Sequence, residues 1–189
     1  MKLICMGAEY PCNRAEKDEA AGTVTAYDQS GTVVFRAVKV TDFSDYTIED
    51  GNWYEKPLHE IKSERQAENK AALAAWLAAH PLTWTDGKRY GVEEQDQNEL
   101  ALNLMQYQVN KATGQPAMLE WHAQKEECRA FEEAEYTALS MAISAYVYPY
   151  RRYQEKVKAA IYDAQTAEAV EAVVIDYAGV IVEEGDADA

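Results

Sequence analysis

The sequence predicts an α+β protein: a small N-terminal antiparallel β module, a linking helix, then a C-terminal domain ordered hairpin, helix, hairpin, long helix. Three observations predict it. Short β-branched and aromatic runs broken by glycine turns fill the first 57 residues. Alanine, glutamate and lysine dominate from residue 58 to Pro81, at helical spacing. Beyond Pro81, two stretches with turn chemistry each run into a pair of glutamates that opens a helical pattern. The expected units are a β module over 1–57, the linking helix over 58–81, an α+β helical domain over 82–178 and an acidic tail over 179–189.

In the β module, Thr23-Val24-Thr25-Ala26-Tyr27 and Thr32-Val33-Val34-Phe35-Arg36 flank Asp28-Gln29-Ser30-Gly31, a hairpin pattern with a glycine turn. A second hairpin is expected around Asp50-Gly51, because an Asp-Gly pair takes the positive φ values of a type I′ turn, joining Tyr46-Thr47-Ile48-Glu49 to Asn52-Trp53-Tyr54. Residues 3–6 read as one further strand.

Pro57 marks the boundary, and residues 58–80 place Ile61, Ala72, Trp76 and Ala79 on roughly one helical face. Pro81 stops that helix, since the residue before a proline disfavours helical geometry. Asp86-Gly87 then predicts a hairpin, and Glu93-Glu94 open a helix to about Thr113, where two carboxylates suit the positive end of the macrodipole. Gly114 and Pro116 end it. Residues 117–123 and 128–131 read as two strands, and Glu132-Glu133 open the longest helix. Trp84, a turn, Tyr90 and Glu93-Glu94 are thus echoed by Trp121, a turn, Phe131 and Glu132-Glu133, a suggestive repeat, although hairpin-then-helix units obeying the same rules can also produce it.

From Glu132 to Ala164 the apolar spacing is the most regular in the chain. Leu139, Ile143, Tyr146, Tyr150, Tyr153, Val157, Ala160 and Ala164 alternate steps of four and three, an a/d heptad stripe. Pro149 lies inside it, removes one backbone donor and crowds the Ala145 carbonyl, so a kink or break costing about 3 kcal/mol is expected there. Thr166 is placed to cap a last helix over 167–177.

Composition bounds the function. Apolar residues make up 48% and charged residues 27% of 189, ordinary globular proportions, so the chain is expected to fold. The net charge of -15 repels phosphate, and Arg151-Arg152 with Lys156 and Lys158 are too few basic groups for a nucleic-acid groove. The apolar start before Glu9 is too short for a signal-peptide core or membrane span, so no membrane partner is expected. Three cysteines (Cys5, Cys12, Cys128), an odd number, do not suggest a disulfide framework.

The residues also argue against chemistry, and no catalytic, metal or cofactor residues are assigned. Structural zinc sites bring ligands as close pairs, whereas Cys5, Cys12, His59, His80, His122 and Cys128 are scattered. No local signature supports a Cys-His nucleophile, and Glu93-Glu94, Glu126-Glu127 and Glu132-Glu133 read better as helix starts or solvated turns than as an acid and base. Gly87 and Gly91 fit hairpin geometry rather than a phosphate loop. What remains is the tyrosine-rich run. Tyr146, Tyr148, Tyr150, Arg151, Arg152, Tyr153 and Val157 concentrate residue types enriched at protein interfaces, and they form the candidate interaction site. The stripe has two readings: it packs on the domain's own helices, or it seats another chain. Tyr148 lies off the stripe and is the better candidate for an exposed contact.

Over residues 82–173 the order of features resembles a domain of unknown function found in tailed-phage and prophage proteins and often encoded beside tail-fibre genes. The residues that carry the resemblance are Asp86-Gly87-Lys88-Arg89-Tyr90, Glu93-Glu94-Gln95-Asp96-Gln97, Trp121, Leu139, Ile143 and Ile161, and Ala164-Gln165-Thr166-Ala167-Glu168. The resemblance covers about half of the chain and leaves out the first 57 residues. It implies a virion- or tail-fibre-associated structural or assembly protein, found in the phage tail or in the host cytoplasm during assembly, whose partners are other phage tail proteins. A tail-fibre assembly chaperone that leaves the virion is the first alternative. A homo-oligomer through the 139–164 helix is a further expectation, and an acidic inhibitor of a host protein, motivated by the charge, is the second alternative.

Overall fold

The computed structural model describes residues 1–180, so the acidic tail expected over 179–189 lies, from 181 onward, outside the described residues. The architecture is α+β, as the sequence predicts, and the chain divides into two compact units, Met1–Pro57 and Leu58–Ala189.

The first unit holds two antiparallel three-stranded sheets. One has the order β2-β1-β6, from β1 (Lys2–Cys5), β2 (Ala8–Pro11) and β6 (Tyr46–Glu49); the other is β3 (Arg14–Asp18), β4 (Thr23–Tyr27) and β5 (Val33–Val38) in sequence order. The β4-β5 hairpin forms where its turn chemistry places it. Asp28 Oδ1 accepts from the Ser30 and Thr32 amides at 2.8 and 2.9 Å, closing the loop. Leu3, Cys12, Ala15, Val24 and Ala26 are the buried centre, with Phe35, Tyr46, Ile48 and Trp53 packed against them.

The expected Asp50-Gly51 hairpin does not form. Asp50 does turn the chain, at φ 59°, but β6 pairs with β1 instead, in the register Leu3↔Ile48 and Lys2↔Glu49. The reason is burial: that register seats Leu3 in the core and puts the Lys2 ammonium between Glu9 and Glu49, at 3.0 and 2.8 Å. Trp53 packs on the core, and the Tyr54 amide donates to the Ala15 carbonyl at 2.7 Å. The β1-β2 hairpin, which the sequence does not announce, turns on Met6-Gly7 with both φ positive, 49° and 81°.

The second unit begins with the expected helix after Pro57, α1 (Leu58–Ala79), which packs into that unit's core. Leu73 and Leu77 are buried in the same cluster as the last helices, and Trp76 packs against it. Two hairpin-helix units follow: β7 (Leu82–Thr83) and β8 (Arg89–Tyr90) lead into α2 (Glu94–Thr113), then β9 (Leu119–Trp121) and β10 (Arg129–Phe131) lead into α3 (Glu133–Asp163). Each helix has a glutamate at its N-cap, Glu93 and Glu132. At Glu93 a capping box closes, with the Asp96 carboxylate accepting from the Glu93 amide at 2.9 Å. Gly114 ends α2 in the left-handed region at φ 72°.

Polar contacts tie the two hairpins together. Gln124 N donates to Arg89 O at 2.7 Å, and Lys88 pairs with Glu126. Arg129 lies over the Phe131 ring at 3.6 Å and pairs with Glu135 at 2.7 Å, with Asp86 3.6 Å away. The core they cover is built from Tyr90, Leu100, Leu119, Phe131, Tyr136, Leu139 and Ile143.

Two expectations about the C-terminal helices change. α3 runs without a break through Pro149, because Val147 and Tyr150 on either side are both buried in the core and hold the helix across the missing donor. The last helix, α4 (Ala167–Glu171), is shorter than the expected 167–177. Thr166 caps it, its Oγ1 accepting from the Ala169 amide at 3.1 Å. Beyond it the chain becomes a strap: Arg65 donates to the Val173 carbonyl at 2.5 Å and Tyr153 to the Val174 carbonyl at 3.1 Å, which draws the backbone out of helical geometry.

Candidate interaction surface

The heptad stripe of α3 is spent inside the second unit. Leu139, Ile143, Tyr150 and Val157 are buried, and Tyr146 and Tyr153 are half-buried. Each tyrosine on the stripe has a place for its ring or hydroxyl. Tyr146 donates to the His80 carbonyl at 3.0 Å, at the end of α1. Tyr150 packs its ring beside Trp76, centroids 5.9 Å apart. Tyr153 sits edge-on to Tyr177 at 5.3 Å, and its oxygen accepts from the Asp176 amide at 3.2 Å. Val157 closes a smaller cluster with Ile161 and Val170.

Of the candidate interaction residues, Tyr146, Tyr150, Tyr153 and Val157 therefore belong to the unit's own packing. A homo-oligomer through the 139–164 stripe would require that packing to open. The physical reason is length: α1 and the strap of residues 172–180 are apolar enough to cover the stripe, and intramolecular closure avoids the entropy of bringing in a second chain.

Tyr148, Arg151 and Arg152 stand on the outside of α3. Tyr148 is 62% exposed and shares its helix face with Met141, 68% exposed and two turns earlier, with Ala145 between them and Arg152 one turn later. The steps from 141 to 145, 148 and 152 repeat the four-three spacing of the buried stripe on the opposite side of the helix. Sequence reasoning isolated Tyr148 and Arg152 but missed Met141 and Ala145, whose signal is a second period running in phase behind the first.

Arg151 points elsewhere and donates to Gln97 Oε1 at 3.2 Å. It lines a cleft of about 550 Å³ between α1, the start of α2 and α3. Leu73 and Leu77 form the floor, Lys70, Arg151 and Lys158 supply positive groups, and Glu93, Glu94 and Glu155 answer them on the rim. Such a cleft can seat a polar side chain or chain end.

Several of the groups weighed for chemistry have structural partners. Glu93 and Glu132 are N-caps, Glu126 pairs with Lys88, and Glu133 accepts from Lys111 at 2.6 Å. That ion pair, before any other influence, holds the Glu133 carboxyl below its usual range. His80 stacks on Trp76 at 3.6 Å, and His122 lies against Trp121 at 5.3 Å. Cys12 is buried, Cys5 half-buried and Cys128 exposed, all as free thiols. Among the described residues, no group of three or more His, Cys, Asp or Glu side chains could hold a metal ion, and no helix is long and apolar enough to cross a membrane.

Comparison with protein-family models, with curated proteins and with solved structures found no match to this chain.

Proposed function

We propose that this chain is a structural or assembly protein that works by binding other proteins, and that its setting is the tail of a bacteriophage. One observation carries the binding reading: the Met141, Ala145, Tyr148 and Arg152 face of α3, an exposed stripe on a helix whose other stripe is already covered. Tyrosine and arginine contribute more than most residues at protein interfaces, because each presents a large, partly apolar surface with a polar end. Burying Met141 and Tyr148 removes apolar area from water that the fold itself leaves wet. The phage setting rests on the resemblance of residues 82–173 described above.

Mass spectrometry of purified tails from a phage carrying this gene tests the proposal. A stoichiometric amount of the chain in the tails supports a structural role. Absence from the tails together with failed fibre maturation when the gene is deleted supports the chaperone alternative. Absence with normal tails on deletion contradicts both.

A further inference from the structure

We infer that the cleft between α1, the start of α2 and α3 binds a short, unblocked apolar peptide by both of its ends. Its volume of about 550 Å³ lies within the range of about 300–1,000 Å³ in which proteins bury small ligands. Leu73 and Leu77, both buried, make an apolar floor with Ala74 beside them, a surface on which apolar side chains lose water.

The charges of the lining are spread along the cleft. α1 and α3 run antiparallel: Lys62 donates to the Tyr162 carbonyl at 2.6 Å, Asn69 to the Gln154 carbonyl at 3.1 Å, and Trp76 packs beside Tyr150. Lys158 therefore lies toward the Gln66 and Lys70 end, and Arg151 toward the Ala74 and Leu77 end. Because Arg151 donates to Gln97, the first turn of α2 brings Glu93 and Glu94 to the Leu77 end as well. Four of the six charged groups are engaged. Lys158 pairs with Glu155 at 3.3 Å, Glu93 closes its capping box, and Arg151 holds Gln97. Lys70 and Glu94, both exposed, have no hydrogen bond or ion pair among the described residues.

This arrangement selects the ligand. The three cations and three carboxylates of the lining cancel, in a chain of -15. A simple anion is repelled by the chain as a whole and by Glu94, and a simple cation by Lys70 and Arg151, so neither sign alone fits. A zwitterion with an apolar middle does fit: its ammonium meets Glu94, its carboxylate meets Lys70, and its side chains cover Leu73 and Leu77. Lys70 and Leu77 are two helical turns apart, about 10 Å, which is also the span of about three extended peptide residues. The side-chain amides of Gln66 and Gln154 form no hydrogen bond among the described residues, and each both donates and accepts, as a peptide bond does. An unblocked apolar tripeptide supplies all of these groups at the required spacing. The inference stands apart from the phage setting and from the outer face of α3, so either can fail without the other.

Calorimetric titration of the full-length chain with the tripeptide Leu-Ala-Leu tests it. The expected result is one site per chain with a micromolar dissociation constant. Acetylating the peptide's amine or amidating its carboxylate is expected to weaken binding about tenfold or more, since each removes a charge-assisted hydrogen bond. Two variants assign the ends. Lys70→Ala is expected to weaken the free peptide by the same factor and to leave binding of the carboxyl-amidated peptide unchanged; Glu94→Ala is expected to spare the acetylated peptide instead. Both side chains are exposed, so the variants should melt like wild type. No binding at millimolar peptide overturns the inference. So do blocked peptides that bind as tightly as the free one, or an affinity for the free peptide that neither substitution changes.

Discussion

Asn69 and Tyr177 are joined across 108 positions of sequence through the Tyr177 hydroxyl. The Tyr177 hydroxyl donates to Asn69 Oδ1 at 2.7 Å, and Asn69 Nδ2 donates to the Gln154 carbonyl at 3.1 Å, so a buried amide is satisfied from both sides. Tyr177→Phe leaves the Asn69 oxygen without its donor and is expected to cost about 1–3 kcal/mol of stability, measured by urea denaturation. Burial, with the nearby Tyr153 adding to it, pushes the Tyr177 phenol up to about 12, and burial likewise raises Tyr90, Tyr136 and Tyr146. Below pH 10 these phenols are neutral whether the chain is folded or not, and their contribution is complete. Above pH 10 the unfolded chain ionises first, so stability falls as pH rises toward about 12. Thermal melts across that range should show the loss, diminished in Tyr177→Phe.

At the scale of elements, α3 holds the fold together and Pro149 is its weakest turn. Pro149→Ala restores the donor to the Ala145 carbonyl and removes the ring, and is expected to stabilise the second unit by up to about 3 kcal/mol. Ile143→Ala, deeper in the same helix, should cost about 2–5 kcal/mol through the cavity it leaves. The elements legible in the sequence are those set by local chemistry. Asp86-Gly87, the glutamate starts of α2 and α3, Gly114 and the Thr166 cap each act within a few residues of themselves. Asp50-Gly51 carries an equally good turn signal, yet its strand goes to β1, because the choice of partner is made by burial of Leu3 and not by the turn. The end of α4 was illegible for the same reason, since Arg65 and Tyr153 pull on it from distant parts of the chain. The candidate surface was half legible: Tyr148 and Arg152 stood out by type, but the periodicity that singled out α3 marked its inner side.

For the whole molecule, the excess of acid matters more to association than to folding. The carboxylates are distributed among caps, ion pairs and solvent, and the exposed Met141, Ala145, Tyr148 and Arg152 face of α3 carries none of them. The most direct test of the binding role compares wild-type chain with Tyr148→Ala plus Arg152→Ala for incorporation into purified tails. The account predicts stoichiometric wild-type protein and a variant that melts like wild type yet is missing; a folded variant incorporated as fully as wild type would contradict it.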